Sequence, residues 1–237
     1  MIYFASDIHL GSGDSKCQRA TEQRFVKWLE SIESTAEVVV LAGDVFDFWF
    51  EYKRVIPKGF ARTLGTLSRL TDRGVRVIML TGNHDMWVGD YLSTECGIEL
   101  YTAAQEFTFK GKRLYISHGD NTNIKGQPML RLMNRIFRSR TLRVIASWLI
   151  HPDLFMRFGQ WWSGSSRKAH KEQTDLSYLD PLIEFAEGYK DSNIDHFVFG
   201  HIHIAHQHSN ITFLGNWANG ASWAELDDNG IITLKHN

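Results

Sequence analysis

Apolar residues arrive in short unbroken runs, and each run stops at a glycine or a small polar residue. "IYFAS" (2–6) precedes Asp7, "EVVVLA" (37–42) precedes Gly43-Asp44, and "VRVIMLT" (75–81) precedes Gly82-Asn83. β-Branched runs bounded in this way predict buried strands. Mixed apolar and polar segments between them predict helices over roughly 20–32 and 59–73. Strand–helix–strand alternation implies right-handed crossovers and a largely parallel sheet. Ligands of such sheets sit at the carboxyl ends of the strands, where all three polar signals fall.

Further along, "EFTFKGKRLYISHGD" reads as a hairpin turning near Gly111, its second strand ending at His118. "HFVF" ends at Gly200-His201, and the tail alternates around "DDNG", a strong turn signal. A second, more antiparallel sheet in the C-terminal half is the expectation. His206 and His208 fall two apart in "IAHQH" and read as strand surface.

The segment from about 121 to 175 differs in kind. Arg131, Arg135 and Arg138 recur at helical spacing among Leu, Ile and Phe, and "LFMRFGQWW" adds four aromatics, so two or three short amphipathic helices are expected. Net charge for the chain is −1, which hides an asymmetry. Residues 125–171 hold ten Lys or Arg and one acid, and the remainder holds sixteen basic and twenty-six acidic residues. One segment thus carries a strong local field of its own.

Two cysteines, Cys17 and Cys96, give no disulfide framework and fit a reducing compartment. A strand beginning at residue 2 leaves no space for a signal peptide. The run "VIASWLI" (144–150) falls far short of the roughly 20 residues that cross a bilayer. A soluble protein, at most resting on a membrane, is expected.

The strand ends collect Asp7-x-His9, Gly43-Asp44-x-x-Asp47, Gly82-Asn83-His84-Asp85, His118-Gly119-Asp120 and Gly200-His201-x-His203. Any one of these is an ordinary loop or helix cap. Five in succession, each closing an apolar run, call for a common cause. In an extended chain residues i and i+2 project to one side, so Asp7 and His9 can both meet one metal. Glycine before Asp44, Asn83 and His201 permits sharp turns and close approach. Carboxylates, imidazoles and one amide oxygen, without thiolate, are too nitrogen-rich for magnesium or calcium and suit manganese, iron or zinc.

These motifs, from Asp7 to His203, resemble the binuclear metallophosphoesterase superfamily, the calcineurin-like phosphoesterases. The resemblance implies an α/β fold: a four-layer αββα sandwich of two mixed sheets flanked by helices. It would be a single domain over 1–237 with a helical lid inserted at about 121–175. It implies that one metal takes Asp7, His9, Asp44 and His203, and a second takes Asp44, Asn83, His118 and His201, with Asp44 bridging. The pair would activate a bridging hydroxide for in-line attack on a phosphoester. His84 would face the phosphate or the leaving oxygen as a catalytic group oriented by Asp85. Asp47 and Asp120 would hold ligand histidines.

The basic, aromatic insertion and its ending "SGSSRKAHKEQ" resemble the UDP-2,3-diacylglucosamine hydrolases of the lipid A pathway. That family caps its metal site with a helical lid at the cytoplasmic face of the inner membrane, prefers manganese, and releases lipid X and UMP. By that resemblance Asn83, His84, Ser166, Arg167, Lys168, His170 and His201 would contact substrate, and the lid would meet the membrane surface. Trp148, Trp161 and Trp162 suit a headgroup interface, and Leu154, Phe155, Met156 and Phe158 an acyl chamber. The chain departs from the family in having His84 where its best-known members carry Arg. It also has His170 and Gln173 in place of a lid Asn and Lys, and Gly126 in place of an Asp. Another phosphodiesterase or nucleotide pyrophosphatase of the superfamily is the nearest rival. A nucleic-acid grip or a membrane-surface adaptor with a relic metal site is the rival from other classes. The aliphatic content of the insertion argues against nucleic acid, which is not expected as a partner.

Overall fold

The computed structural model describes residues 1–122, 139–170, 175–190, 193–218 and 220–237, without the side chains of 140 and 165–170. The three leading apolar runs form β1 (Ile2–Ala5), β2 (Val38–Ala42) and β3 (Arg76–Leu80), paired in parallel. Between them lie α1 (Ser15–Ile32) and α2 (Ala61–Asp72). Helix α1 begins five residues before the pattern predicts, because the Asp14 side chain accepts a hydrogen bond from the Cys17 amide and caps it. A short α3 (Tyr91–Cys96) leads into β4 (Glu99–Tyr101), the parallel edge of this sheet.

The expected hairpin forms as β5 (Gln105–Phe109) and β6 (Lys112–Ser117). Next come α4 (Arg140–Leu149), α5 (Pro152–His170) and α6 (Asp180–Glu187). The chain closes with β7 (His196–Phe199), β8 (Ala205–His208), β9 (Ile211–Leu214), β10 (Ser222–Leu226) and β11 (Ile232–His236). The tail does not stay in one antiparallel sheet. Strands β10 and β11 cross over to extend the first, giving β11-β10-β1-β2-β3-β4, while the second runs β5-β6-β7-β9-β8. Both sheets are mixed: β6, β7 and β9 run parallel, flanked by antiparallel β5 and β8.

Strand periodicity sorts the side chains into layers. Ile2, Phe4, Val38, Val40 and Ile78 face Leu114, Ile116, Val198 and Leu214 of the second sheet. Their neighbours Tyr3, Ala5, Val39, Leu41 and Val77 pack instead with Phe25, Leu29, Leu67 and Leu70 of α1 and α2. Leu182 and Ala186 of α6 cover Phe197, Phe199 and Phe213 on the outer side of the second sheet. The order is therefore helices, sheet, sheet, helix, with a dry seam between the sheets. This places the carboxyl ends of β1, β2 and β3 beside those of β6 and β7.

Trp217, fully buried, fastens that edge. Its ring centroid lies 5.4 Å from those of both Phe25 and Trp28, and its backbone N–H donates to the Asp7 carbonyl at 3.2 Å. Replacing Trp217 by alanine removes the ring and leaves a cavity, so a loss of about 3–5 kcal/mol is expected. Urea unfolding should show it as a lower midpoint at unchanged m-value.

Candidate metal centre

The loops beyond the strands keep pairing after the sheet ends. The Asp7 amide donates to the Gly43 carbonyl at 3.1 Å, His9 to Asp44 at 3.0 Å, and Gly200 to His118 at 3.1 Å. Asp7, His9, Asp44, His201 and His203 all adopt left-handed backbone, with φ of 53°, 50°, 52°, 70° and 62°. The i, i+2 pairs therefore do not converge as positions of an extended chain. Asp7 and His9 meet because both turn left-handed after the strand has stopped, and the same turn sends His203 to their side and His201 to that of His118. L-residues adopt this region at a cost of order 1–3 kcal/mol each, so the surrounding packing must hold them there. Two glycines allow the approach: a Cβ at Gly43, where φ is 94°, would strike the His118 ring, and one at Gly82 would strike the Asp44 carboxylate.

The side chains gather around two points that share Asp44. At the first, His9 Nε2 and His203 Nε2 are 3.1 Å apart, and Asp7 Oδ1 is 3.2 Å from His203 Nε2 and 3.8 Å from His9 Nε2. Asp44 Oδ2 stands 3.9 Å from His9 Nε2. At the second, Asp44 Oδ2 is 3.3 Å from His118 Nε2, which is 3.3 Å from Asn83 Oδ1. The His201 ring lies beyond, its centroid 5.2 Å from that of His118. Ligands bonded at about 2.1 Å to one ion stand about 3.0 Å apart at right angles and about 4.2 Å apart across it, so these spacings suit coordination. Imidazole nitrogens mixed with carboxylate and amide oxygens make the set fit a divalent transition metal.

The remaining atoms are already committed elsewhere, which aims the free ones inward. Asp7 Oδ2 accepts from the His201 amide at 2.9 Å, and Asp44 Oδ1 from the His84 amide at 2.9 Å. His118 Nδ1 lies 2.9 Å from the Ala42 carbonyl, which can only accept, so Nδ1 carries the hydrogen and Nε2 keeps its lone pair for a metal. His9 Nδ1 faces Asp47 Oδ1 at 3.5 Å. Burial opposes ionisation of Asp7, but its hydrogen bond to His203 and the charge of His118 hold the carboxyl at about 2. Burial likewise works against the Asp44 anion, yet His118 and His84 keep its carboxyl well below the usual range. Burial pushes His9 down to about 3, against the pull of Asp44, and His201 down to about 4, with His118 assisting. Against burial, Asp44 raises His118 and Asp7 raises His203, so these two rings would shed a proton to a metal, whereas the anionic carboxylates and the neutral rings of His9 and His201 already stand in the states that ligation requires.

A family model described as calcineurin-like phosphoesterase matches residues 1–205. The chain belongs to that family. This phosphoesterase is 31% identical over 251 residues to a UDP-2,3-diacylglucosamine hydrolase from Porphyromonas gingivalis, covering 98% of this chain and 95% of the relative. A UDP-2,3-diacylglucosamine hydrolase from Haemophilus influenzae is 25% identical over 236 residues, covering 96% and 95%. Among solved structures, the phosphoesterase Yfce from E. coli aligns with a TM-score of 0.42 at 17% identity, over 99% of this chain and 97% of that one. The phosphoesterase is thus a divalent-metal hydrolase of phosphoester bonds built on two mixed sheets flanked by helices.

One expectation fails. The Asp85 carboxylate does not orient His84. It accepts from the backbone amides of Gly82 at 2.7 Å, Val45 at 2.8 Å and Phe46 at 3.4 Å, and so staples the β2 loop to the β3 loop. Its full burial makes those amides its natural partners, while the His84 ring turns the other way. His84 Nδ1 lies 3.1 Å from the Asp47 carbonyl and 2.8 Å from Ser163 Oγ, and Nε2 points back toward Asp44 Oδ2 at 4.0 Å. Ser163 opens the stretch "SGSSRKAHKEQ", but there the resemblance gave roles only to Ser166 and residues after it, so Ser163 was not legible as a site residue. Of the proposed substrate contacts, Ser166, Arg167, Lys168 and His170 fall in the last turns of α5, where side chains lie outside the described residues. Arg131, Arg135, Arg138, Gly126 and Gln173 lie outside them altogether. His206 and His208 sit on edge strand β8, away from these points.

Of the two or three short helices expected in the insertion, the described residues show α4, of ten residues, and α5, of 19. Between them and the strand loops lies an apolar cavity of about 400 Å³ bordered by Phe50, Trp87, Leu142, Ala146, Phe155 and Phe158. Arg143 also borders it and donates to the Val88 carbonyl at 2.9 Å. Leu154 also lines the cavity, and elsewhere these helices expose Trp148 at 84%, Leu149 at 79% and Trp161 at 66%. No helix among the described residues is long and apolar enough to cross a membrane.

Purified protein is expected to take up manganese, iron or zinc by elemental analysis. Gly82→Ala, which drives a methyl into the Asp44 carboxylate, should reduce the bound metal at least severalfold while the far-UV circular dichroism is kept. Undiminished metal in that variant would contradict the ligand geometry.

Proposed function

We propose that this phosphoesterase hydrolyses UDP-2,3-diacylglucosamine, or a close acylated relative, to UMP and 2,3-diacylglucosamine 1-phosphate in lipid A biosynthesis. The observation that carries the reading is a family metal centre together with an apolar cavity walled by the same helix α5 that reaches His84, in a chain that follows UDP-2,3-diacylglucosamine hydrolases over nearly its whole length.

Asp7, His9, Asp44 and His203 would hold one divalent ion, and Asp44, Asn83, His118 and His201 a second, with manganese the favoured metal. Bound there, the ions would polarise the phosphoryl oxygens and supply an acidified water as nucleophile. The chain's own residues do the rest. His84 Nε2 stands 4.0 Å from Asp44 Oδ2, and would serve there as phosphate ligand or proton donor. Asp85 holds two loops in register so that Asp44 and Asn83 stay opposed. Ser166, Arg167, Lys168 and His170 would engage the diphosphate from the end of α5.

The cavity would shelter acyl chains. Its volume lies in the range of small-molecule sites, and burying apolar chain there is favourable by about 0.8 kcal/mol per methylene. Helices α4 and α5 would act as a lid whose exposed tryptophans and leucines rest on the cytoplasmic face of the inner membrane, from which a diacyl substrate must be drawn. Rings with an apolar body and one polar edge suit that interface.

UMP release with manganese tests the proposal. UDP-2,3-diacylglucosamine should exceed UDP-glucose in kcat/KM by at least about a hundredfold, given several buried methylenes. His84→Ala should lower the rate by roughly 10²–10⁴. Equal turnover of acylated and non-acylated substrates would refute the lipid assignment and leave a general nucleotide pyrophosphatase.

A further inference from the structure

Helix α5 meets the strand loops through one stripe. Phe155, Gly159 and Ser163 follow each other at four-residue intervals and so share a face. The Phe155 ring centroid lies 4.4 Å from Phe50, 5.3 Å from Trp87 and 5.7 Å from Phe48. At Gly159 the helix backbone comes so near that any Cβ would strike the Phe48 ring. One turn further, Ser163 is 1% exposed, and its Oγ stands 2.8 Å from His84 Nδ1.

The Asp47 carbonyl lies 3.1 Å from that same nitrogen, and a carbonyl can only accept. Nδ1 therefore carries the hydrogen and shares it between two oxygens, one from the β2 loop and one from α5. A single acceptor fixes a point about which the imidazole can tilt, whereas two acceptors fix its plane. The His9 ring, edge-on with centroids 4.7 Å apart, borders the other side. We propose that Ser163 is a positioning residue for His84: the Phe155–Gly159–Ser163 face of α5 delivers a hydroxyl that locks the ring in the plane where Nε2 meets the phosphoester. The proposal rests on the role given to His84 under "Proposed function". It also makes the insertion part of the reaction geometry, because the helix that borders the apolar cavity at Phe155 and Phe158 is the one that holds the ring.

The test reads the ring itself. Two-bond proton–nitrogen correlation spectra of the metal-free full-length protein would be recorded, with His84 assigned by difference from His84→Gln. Ser163→Ala should shift the His84 ring resonances and lower kcat about tenfold with KM within about twofold, as small misplacement of a reacting group does. Ser163→Thr, which keeps the hydroxyl, should restore both. Gly159→Ala leaves the hydroxyl in the sequence but lifts the helix from Phe48, and should shift the same resonances. Unmoved His84 resonances in both alanine variants would overturn the proposal. So would a rise in KM at unchanged kcat in Ser163→Ala, which would make Ser163 a substrate ligand. Shifted resonances with full activity in both Ser163→Ala and His84→Ala would uphold the positioning and refute the role assigned to His84.

Discussion

Two carboxylates, Asp7 and Asp44, are buried at the edge of the seam between the sheets, and the geometry around them follows from the need to compensate their charge. Each spends one oxygen on a backbone amide from another loop: Asp7 on His201, Asp44 on His84. The first bond ties one sheet to the other, and the second ties β2 to β3. The other oxygens face imidazole nitrogens, Asp7 Oδ1 at 3.2 Å from His203 Nε2 and Asp44 Oδ2 at 3.3 Å from His118 Nε2. A buried charge without such compensation would be forced to protonate. Metal binding and the closure of the two sheets are thus one arrangement seen from two sides, and the left-handed backbone at five donors is strain that this arrangement must over-determine.

Much of this was visible in the amino-acid pattern because the strands are buried on both faces and therefore read as unbroken apolar runs. The punctuation after each run, Asp7, Asp44, Asn83, His118 and His201, marked the carboxyl ends, and parallel pairing brought those ends together. What the pattern concealed was conformational. Alternation correctly describes β1 up to Ala5, but nothing in "SDIHL" announces that Asp7 and His9 leave the extended region, since the residues that usually mark such turns are glycines. The tail misled for a different reason. β9 is apolar and β10 alternates, but both are short, and which sheet each joins depends on the seam that only the folded chain creates.

Asp85 and Ser163 show the limit of motif reasoning at the site. Adjacent in sequence to His84, Asp85 looks like its partner, yet its full burial gives it three backbone donors instead. Ser163 lies 79 residues away and carries no signature, yet it reaches the ring. A contact set by the docking of one helix on another loop has no local spacing to betray it. The feature that could have pointed to α5 is Gly159: a glycine inside a helix costs up to about 1 kcal/mol relative to alanine, so it is retained where a backbone must come close.

The division of labour within the chain follows from these contacts. Loops at five strand ends supply a centre that any phosphoester could use, because its donors recognise charge and nothing else. Selectivity must then come from whatever decides which phosphoester is present and whether His84 is correctly turned toward it. Helix α5 touches both decisions, with Phe155 and Phe158 on the apolar cavity and Ser163 on the ring, about 12 Å apart along the axis for eight residues of helix. A rigid helix cannot move one end without moving the other. The packing of Phe155 on Phe50 and Trp87 and the contact of Ser163 with His84 are therefore coupled through one rigid helix, and a substrate without apolar chains would forgo the burial energy that the cavity offers.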